Sequence, residues 1–338
     1  MMEQSARKLV PAGSGILVGI LSNCAATTNR QRLDELRRAI GPNPHIFHYE
    51  FEDISQIAQG LRMFADSGVG LLVINGGDGT IQATLSCLLA GCGFEKIPPI
   101  AVLPGGKTNM IAGDLGCQGT PARVFRRLTD MVRKERLDGA LVRRHVIELD
   151  LGDGKPARVG MFLGGAGIVK AIEWVRRTVH RLPLPTRLGH ALAIAILILR
   201  SCTPSGSRLL ASGPIEIGLD RGEHLHGRYF VILATTLSRL LVWLRPFGEE
   251  GTGGLKLSFI EARKGAMRRA FFALITGRFQ KGGIDGLQVR RSDRLTFIGS
   301  DPLTLDGEIY TPLPGRTVTA RGDRSFLFVR LKHWWQPN

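Results

Sequence analysis

A mainly apolar run, Gly70-Leu71-Leu72-Val73-Ile74-Asn75, passes directly into Gly76-Gly77-Asp78-Gly79-Thr80 and then into helix-forming residues 81–89. Such a run reads as a strand covered on both faces, as in a parallel sheet. Three glycines around one carboxylate make a turn whose backbone can press close to a ligand. A helix starting at once afterwards turns its N–H groups toward phosphate oxygens. Asp78 stands where a metal ion or a hydroxyl proton would be. The plainer use of the same residues is a tight strand-to-helix turn with an Asp N-cap. The whole string after such a strand favours phosphate chemistry.

The first third of the chain repeats this alternation. Residues 16–21, 45–49, 70–75 and 100–103 read as strands, and 32–40 and 54–65 as helices. That order predicts an N-terminal three-layer α/β nucleotide domain over residues 1–140, with a parallel sheet and covering helices. Ligands bind such sheets at the carboxyl ends of the strands, where the turns 76–80 and 104–109 both fall. Past residue 140 short strands dominate: 142–151, 159–163, 215–219, 228–234, 255–260, 287–289, 294–298, 317–320 and 325–331. They predict a C-terminal antiparallel β-sandwich domain over 141–338, whose last strand can return to the first domain. Residues 168–200 and 262–279 interrupt it as helices.

The 338 residues carry 45 Lys and Arg against 29 Asp and Glu, a net charge of +16. This suits an anionic membrane surface or a phosphorylated small molecule. No zinc-finger spacing, aromatic RNA-binding pattern or basic zipper is present, so a nucleic-acid partner is not expected. Cys24, Cys87, Cys92, Cys117 and Cys202 are odd in number and form no C-x-x-C, so five reduced thiols in a cytosolic protein are expected. The start of the chain lacks the apolar core of a signal peptide. The longest greasy run, 191–199, is about half of the roughly 20 residues that span a bilayer. A cytoplasmic protein, soluble or peripherally membrane-associated, is expected.

A second loop reads Leu103-Pro104-Gly105-Gly106-Lys107-Thr108-Asn109-Met110-Ile111-Ala112-Gly113-Asp114-Leu115-Gly116. Gly106-Lys107-Thr108 mimics the end of a Walker A motif, but Ala101 stands where that motif needs its first glycine. Lys107 can still reach a phosphate as a mobile point charge, or be an exposed loop lysine. A third string, Leu305-Asp306-Gly307-Glu308, sets two carboxylates around a tight turn. One can position a metal or water while the other accepts a proton, although Asp-Gly is also a common hairpin turn.

Together these strings resemble the diacylglycerol kinase catalytic family, which includes sphingosine and ceramide kinases and bacterial lipid kinases. The resemblance runs from about Ile16 to Leu331, with residues 162–167 matching the glycine-containing segment that opens the lipid-binding half. It implies ATP and Mg²⁺ in a cleft between two lobes and transfer of the γ-phosphate to a lipid hydroxyl. It implies a nucleotide site of Gly76, Gly77, Gly79, Thr80, Gly105, Gly106, Thr108 and Asn109, to which Lys107 can add its charge and Asn23, Thr28 and Asn29 side-chain contacts where the first loop departs from the family. Asp78 would bear on Mg²⁺ or proton transfer, and Glu308 is the candidate general base, with Asp306 orienting it or the metal. The chain also departs from the family. Asn23-Cys24-Ala25-Ala26-Thr27 replaces a glycine-bearing first loop, Ala83 and Met110 replace expected acids, and Thr252-Gly253-Gly254-Leu255-Lys256 replaces an Asp-Gly-x-Leu-Asp string. These losses lean the acceptor toward ceramide or another sphingolipid over diacylglycerol, and leave a second-domain structural Mg²⁺ without its acids.

Basic amphipathic stretches around Trp174, Arg239–Arg245 and Phe271, with Trp334-Trp335, suit contact with an anionic membrane. The expected partner is a lipid substrate, and a homodimer is left open. Two alternatives share parts of the pattern: an NAD kinase-like enzyme, and a non-catalytic lipid-binding protein that kept the fold.

Overall fold

The computed structural model describes residues 15–178, 203, 206, 208, 210–238, 240, 245–248, 251–281, 283–299 and 301–331. The chain forms two compact units, Met1–Arg144 with Phe326–Asn338, and His145–Ser325.

The first unit runs β1 (Val18–Asn23), α1 (Asn29–Ile40), β2 (Ile46–Phe51), α2 (Ile57–Asp66), β3 (Leu71–Gly76), α3 (Asp78–Leu89), β4 (Ile100–Pro104), α4 (Met110–Asp114), α5 (Pro121–Arg133) and β5 (Leu141–His145). Every residue of β3 and β4 is buried, which is why neither alternates polar with apolar residues. Right-handed crossovers put α1 on one face of the sheet and α2 and α3 on the other, and α5 packs beside α1. Helix α5 was not foreseen from sequence. Thr120 caps it by accepting from the Arg123 N–H at 3.3 Å, Pro121 occupies its first turn, and Val124, Phe125 and Leu128 face inward.

The second unit contains β6 (Ile147–Asp150), β7 (Arg158–Gly160), β8 (Phe162–Ala166), α6 (Gly167–Thr178), β9 (Ile215–Leu219), β10 (His224–Gly227), β11 (Tyr229–Thr235), β12 (Leu255–Glu261), α7 (Ala266–Ile275), β13 (Leu287–Ser292), β14 (Arg294–Ile298), β15 (Leu303–Leu305), β16 (Glu308–Tyr310) and β17 (Thr317–Arg321). Two antiparallel sheets, ordered β10-β9-β14-β17-β6-β7 and β13-β12-β11-β8-β15-β16, make the expected sandwich. Ile147, Leu149, Leu295, Phe297 and Val318 from one sheet meet Leu163, Leu257, Phe259, Leu303 and Leu305 from the other in one core. Helix α7 covers the outer face of the second sheet, packing Ala266, Met267, Ala270 and Ala273 against Phe230, Ile260, Leu287 and Val289.

A last strand, β18 (Ser325–Val329), completes the sheet of the first unit, ordered β2-β1-β3-β4-β18-β5, with β4 and β18 parallel.

Two expected strands are each broken in two. The run 142–151 splits at Val146, whose N–H donates to the Arg324 carbonyl at 3.0 Å, so β5 and β6 join different sheets. The run 159–163 splits at Met161, between β7 in one sheet and β8 in the other. The thiols also need correction, because Cys87 and Cys92 form a disulfide. Cys87 lies in the last turn of α3, and Gly91, at φ +82°, folds the chain back so that the Cys92 N–H donates to the Cys87 carbonyl at 3.1 Å. The greasy run 191–199, residues 241–244, Cys202 and Trp334-Trp335 lie outside the described residues. No described helix is long and apolar enough to cross a membrane.

Phe259 is 0% exposed in the sandwich core. Phe259→Ala is expected to lower stability by about 3–5 kcal/mol in urea unfolding followed by circular dichroism. Cys117 is buried, and burial pushes its thiol up to about 12. It is expected to resist maleimide at pH 8 in the native protein and to label fully once unfolded, as read by mass spectrometry.

Candidate nucleotide and acceptor sites

The strand order reverses at β1. The chain leaves β1 for β2 on one side and continues through β3 and β4 on the other. The carboxyl ends of β1 and β3 are therefore the switch point, the place where open α/β sheets bind ligands. Polar side chains tie these ends together. The Asn23 Nδ2 donates to Thr80 Oγ1 at 2.9 Å. The Asn29 Nδ2 donates to the carbonyls of Asn23 at 2.8 Å and Asn75 at 3.2 Å. The Asn75 Nδ2 donates to Ser22 Oγ at 3.0 Å, and His48 Nε2 lies 2.8 Å from the same oxygen. Burial holds His48 below the usual imidazole range, against the pull of Glu50, whose own carboxylate is held low by the Arg37 guanidinium. Sequence reasoning passed over Ser22, His48 and Asn75 as site residues. The available signal was a polar residue near the end of an otherwise apolar strand.

Glycines bring two loops into main-chain contact. A Cβ on Gly106 would lie 2.4 Å from Gly77 Cα, and one on Gly76 would lie 2.5 Å from Thr80 Cβ. A Cβ on Gly79 would meet nothing within 4 Å, so the space over it is open. Gly77 caps α3 in extended conformation, and its carbonyl accepts from the N–H groups of Thr80 at 3.0 Å and Ile81 at 3.1 Å. The N–H groups of residues 77–79 find no acceptor among the described residues. Main-chain donors at a helix start, beside open space, fit the oxygens of a polyphosphate. The second loop is pinned from two directions. Thr28 Oγ1 donates to the Gly106 carbonyl at 2.8 Å and its N–H to the Gly105 carbonyl at 2.9 Å. Asn109, left-handed at φ +50°, accepts the Gly106 N–H and donates to the Gly106 carbonyl, both at 2.8 Å. Lys107 and Thr108 are exposed at its tip.

Asp78 needs correction. It is the first residue of α3 and not its N-cap, and it caps a different helix. Its Oδ2 accepts the Met110 N–H and its Oδ1 the Ile111 N–H, each at 3.0 Å, at the start of α4. Burial pushes its pKa up, and the two N–H groups oppose that rise. With one N–H on each oxygen and 9% exposure, Asp78 joins the two loops as a buried clasp. Among the described residues, no three His, Cys, Asp or Glu side chains gather as a metal site.

In the second unit, Asp306 and Gly307 form the two-residue turn between β15 and β16, at φ +50° and +97°. A turn with two left-handed residues is the one that Asp-Gly favours. The Asp306 carboxylate accepts the Met161 N–H at 3.0 Å and the Phe162 N–H at 2.8 Å, holding the break between β7 and β8. Glu308 is exposed at the start of β16, and its side chain has no hydrogen-bond or ionic partner among the described residues. Where the family resemblance expects the last acid of a structural Mg²⁺ string, the Lys256 ammonium donates to the Leu237 carbonyl at 2.9 Å and lies 4.7 Å from the Phe247 ring centre. A cation placed there does not fit that metal.

Residues 20–138 match the family model of the diacylglycerol kinase catalytic domain. The chain carries a diacylglycerol kinase catalytic domain. The match covers about a third of the chain and makes that part similar to the catalytic domains of lipid kinases. Three solved Bacillus anthracis str. Sterne structures, each described as a diacylglycerol kinase and two of them provisionally, share its fold. One gives a TM-score of 0.64 at 16% identity, covering 94% of this chain and 97% of its own. A second gives 0.61 at 14%, covering 94% and 97%, and a third 0.66 at 14%, covering 93% and 97%. At such identities the likeness speaks for the fold alone. No curated protein matches the chain.

Thermal unfolding can separate the roles in the first unit. Gly106→Ala is expected to cost about 1–3 kcal/mol or more through its main-chain clash. Asp78→Asn should cost about 1–3 kcal/mol, because its amide nitrogen turns a donor toward a buried N–H. Gly79→Ala should shift stability by less than about 1 kcal/mol, upward as for any glycine replaced inside a helix.

Proposed function

We propose that the chain transfers the γ-phosphate of ATP to the hydroxyl of a membrane lipid: a ceramide, a sphingoid base or a diacylglycerol. The observation that carries this reading is the contact of Gly77 with Gly106, beside unbonded N–H groups at 77–79 and open space over Gly79.

Phosphoryl transfer is mostly positioning and neutralisation of charge. The N–H groups of residues 77–79 bind phosphate oxygens, and the helix dipole of α3 adds a positive field. Asn23 and Thr80 fix the edge of the cradle, and Thr28 and Asn109 hold the second loop against it. Lys107 reaches the phosphates as a mobile cation. Mg²⁺ would be held chiefly by phosphate oxygens and water, as this ion prefers, and would supply charge neutralisation. Asp78 acts indirectly, by seating the start of α4.

A lipid alcohol is weakly acidic, so a carboxylate must take its proton as the new bond forms. Glu308 is the uncommitted carboxylate of the late motif and takes that role. Asp306 sets the turn that presents it. The lipid acceptor and the basic composition both favour peripheral contact with an anionic membrane.

The test is transfer of label from γ-³²P-ATP to diacylglycerol, ceramide and sphingosine in mixed micelles. Label is expected in at least one lipid. Glu308→Gln should lower kcat by about 10²-fold or more with ATP binding unchanged. Gly79→Ala should weaken ATP binding about tenfold while the protein stays folded. Failure of all three acceptors, or a Glu308→Gln variant as fast as the parent, would overturn the reading.

A further inference from the structure

Helix α7 buries one face on the second sheet, and among the described residues its other face is uncovered. Phe272 is 66% and Ile275 64% exposed, the most exposed large apolar side chains among the described residues. They lie three residues apart and share a face with exposed Arg268, four residues before Phe272. Lone exposed apolar residues are ordinary, but a Phe and an Ile side by side on one helix face form a patch.

The charges around this patch have one sign. Arg263 and Arg269 are already paired, Arg263 with Glu261 and Asp285 at 3.2 Å and Arg269 with Asp285 at 2.8 Å. Lys264, Arg268 and Arg278 are exposed, and their side chains have no hydrogen-bond or ionic partner among the described residues. The nearby carboxylates are therefore committed, and the spare charge is wholly positive. Apolar side chains ringed by unpaired cations fit a surface with negative headgroups over hydrocarbon.

We infer that the outer face of α7 docks on anionic bilayers, inserting Phe272 and Ile275 below the headgroups while Lys264, Arg268 and Arg278 meet lipid phosphates. The surface gives the proposed lipid acceptor a place of encounter, but binding itself needs no nucleotide. It can therefore be tested apart from the kinase reading.

The experiment is co-sedimentation of the full chain, without ATP, with phosphatidylcholine vesicles and with vesicles enriched in phosphatidylglycerol. The parent protein is expected to bind the anionic vesicles at least tenfold more tightly, with the difference shrinking at high salt. Phe272→Ser with Ile275→Ser should weaken that binding on the order of tenfold to a hundredfold. Lys264→Glu with Arg268→Glu and Arg278→Glu should weaken it roughly fivefold or more per charge and remove the salt dependence. All five side chains point outward, so thermal unfolding should be unchanged in both variants. The inference fails if the parent binds neither vesicle or if the variants bind like the parent. It also fails if the apolar substitutions only convert a dimer to a monomer in light scattering, which would give the face to a second copy. Normal vesicle binding by a protein that phosphorylates no lipid would sink the kinase reading and leave this one standing.

Discussion

Two aspartates, each clasping a pair of consecutive main-chain N–H groups, hold both motif regions in shape. Asp78 holds Met110 and Ile111, and Asp306 holds Met161 and Phe162. A buried carboxylate is costly unless its oxygens are bonded, and hydrogen bonds to a charged group contribute about 1.5–3 kcal/mol each. Each clasp joins segments that are distant in sequence. The first fixes the start of α4 against the turn after β3, and with it the approach of Gly106 to Gly77. The second fixes the place where the chain leaves one sheet of the sandwich for the other.

This division of labour matters chemically. A free carboxylate beside a triphosphate would repel it. Asp78 turns each of its oxygens to an N–H group at the start of α4. In the proposed reading phosphate binding falls to main chain, which glycine alone exposes this fully. The late motif shows the complementary arrangement: Asp306 is committed to N–H groups, while Glu308 on the next strand keeps its oxygens open to solvent. One acid shapes the loop and the other stays exposed.

Much of the architecture was legible in the sequence, because burial on both faces writes itself as unbroken apolar runs in β3 and β4. The glycine string and the second loop were legible for a related reason, since main-chain contact at 2.4 Å tolerates no side chain. What stayed hidden was long-range. Nothing local at Val146 or Met161 says that a strand ends there; the breaks depend on the Arg324 carbonyl and the Asp306 carboxylate. The partners of Asp78 lie 32 and 33 residues away, so nothing near it in sequence shows that its carboxylate clasps two N–H groups. The disulfide was hidden by a count of cysteines, which cannot show that a left-handed Gly91 turns Cys92 back to Cys87.

The crowding at the ends of β1 and β3 has a cost that bears on the site. Asn29 and Asn75 are 1% and 0% exposed, and each leaves its Oδ1 without a hydrogen-bond partner. An unpaired buried acceptor costs about 1–3 kcal/mol. Both oxygens face Gly105, where a Cβ would lie 2.8 Å from Asn29 Oδ1 and 2.9 Å from Asn75 Oδ1. Neither amide can turn over to relieve this, because each Nδ2 is already spent, Asn29 on two strand-end carbonyls and Asn75 on Ser22. Three loops converge because asparagine donors tie them from one side, and the acceptors on the other side go without. The rest of the fold must supply the stability that this corner gives up.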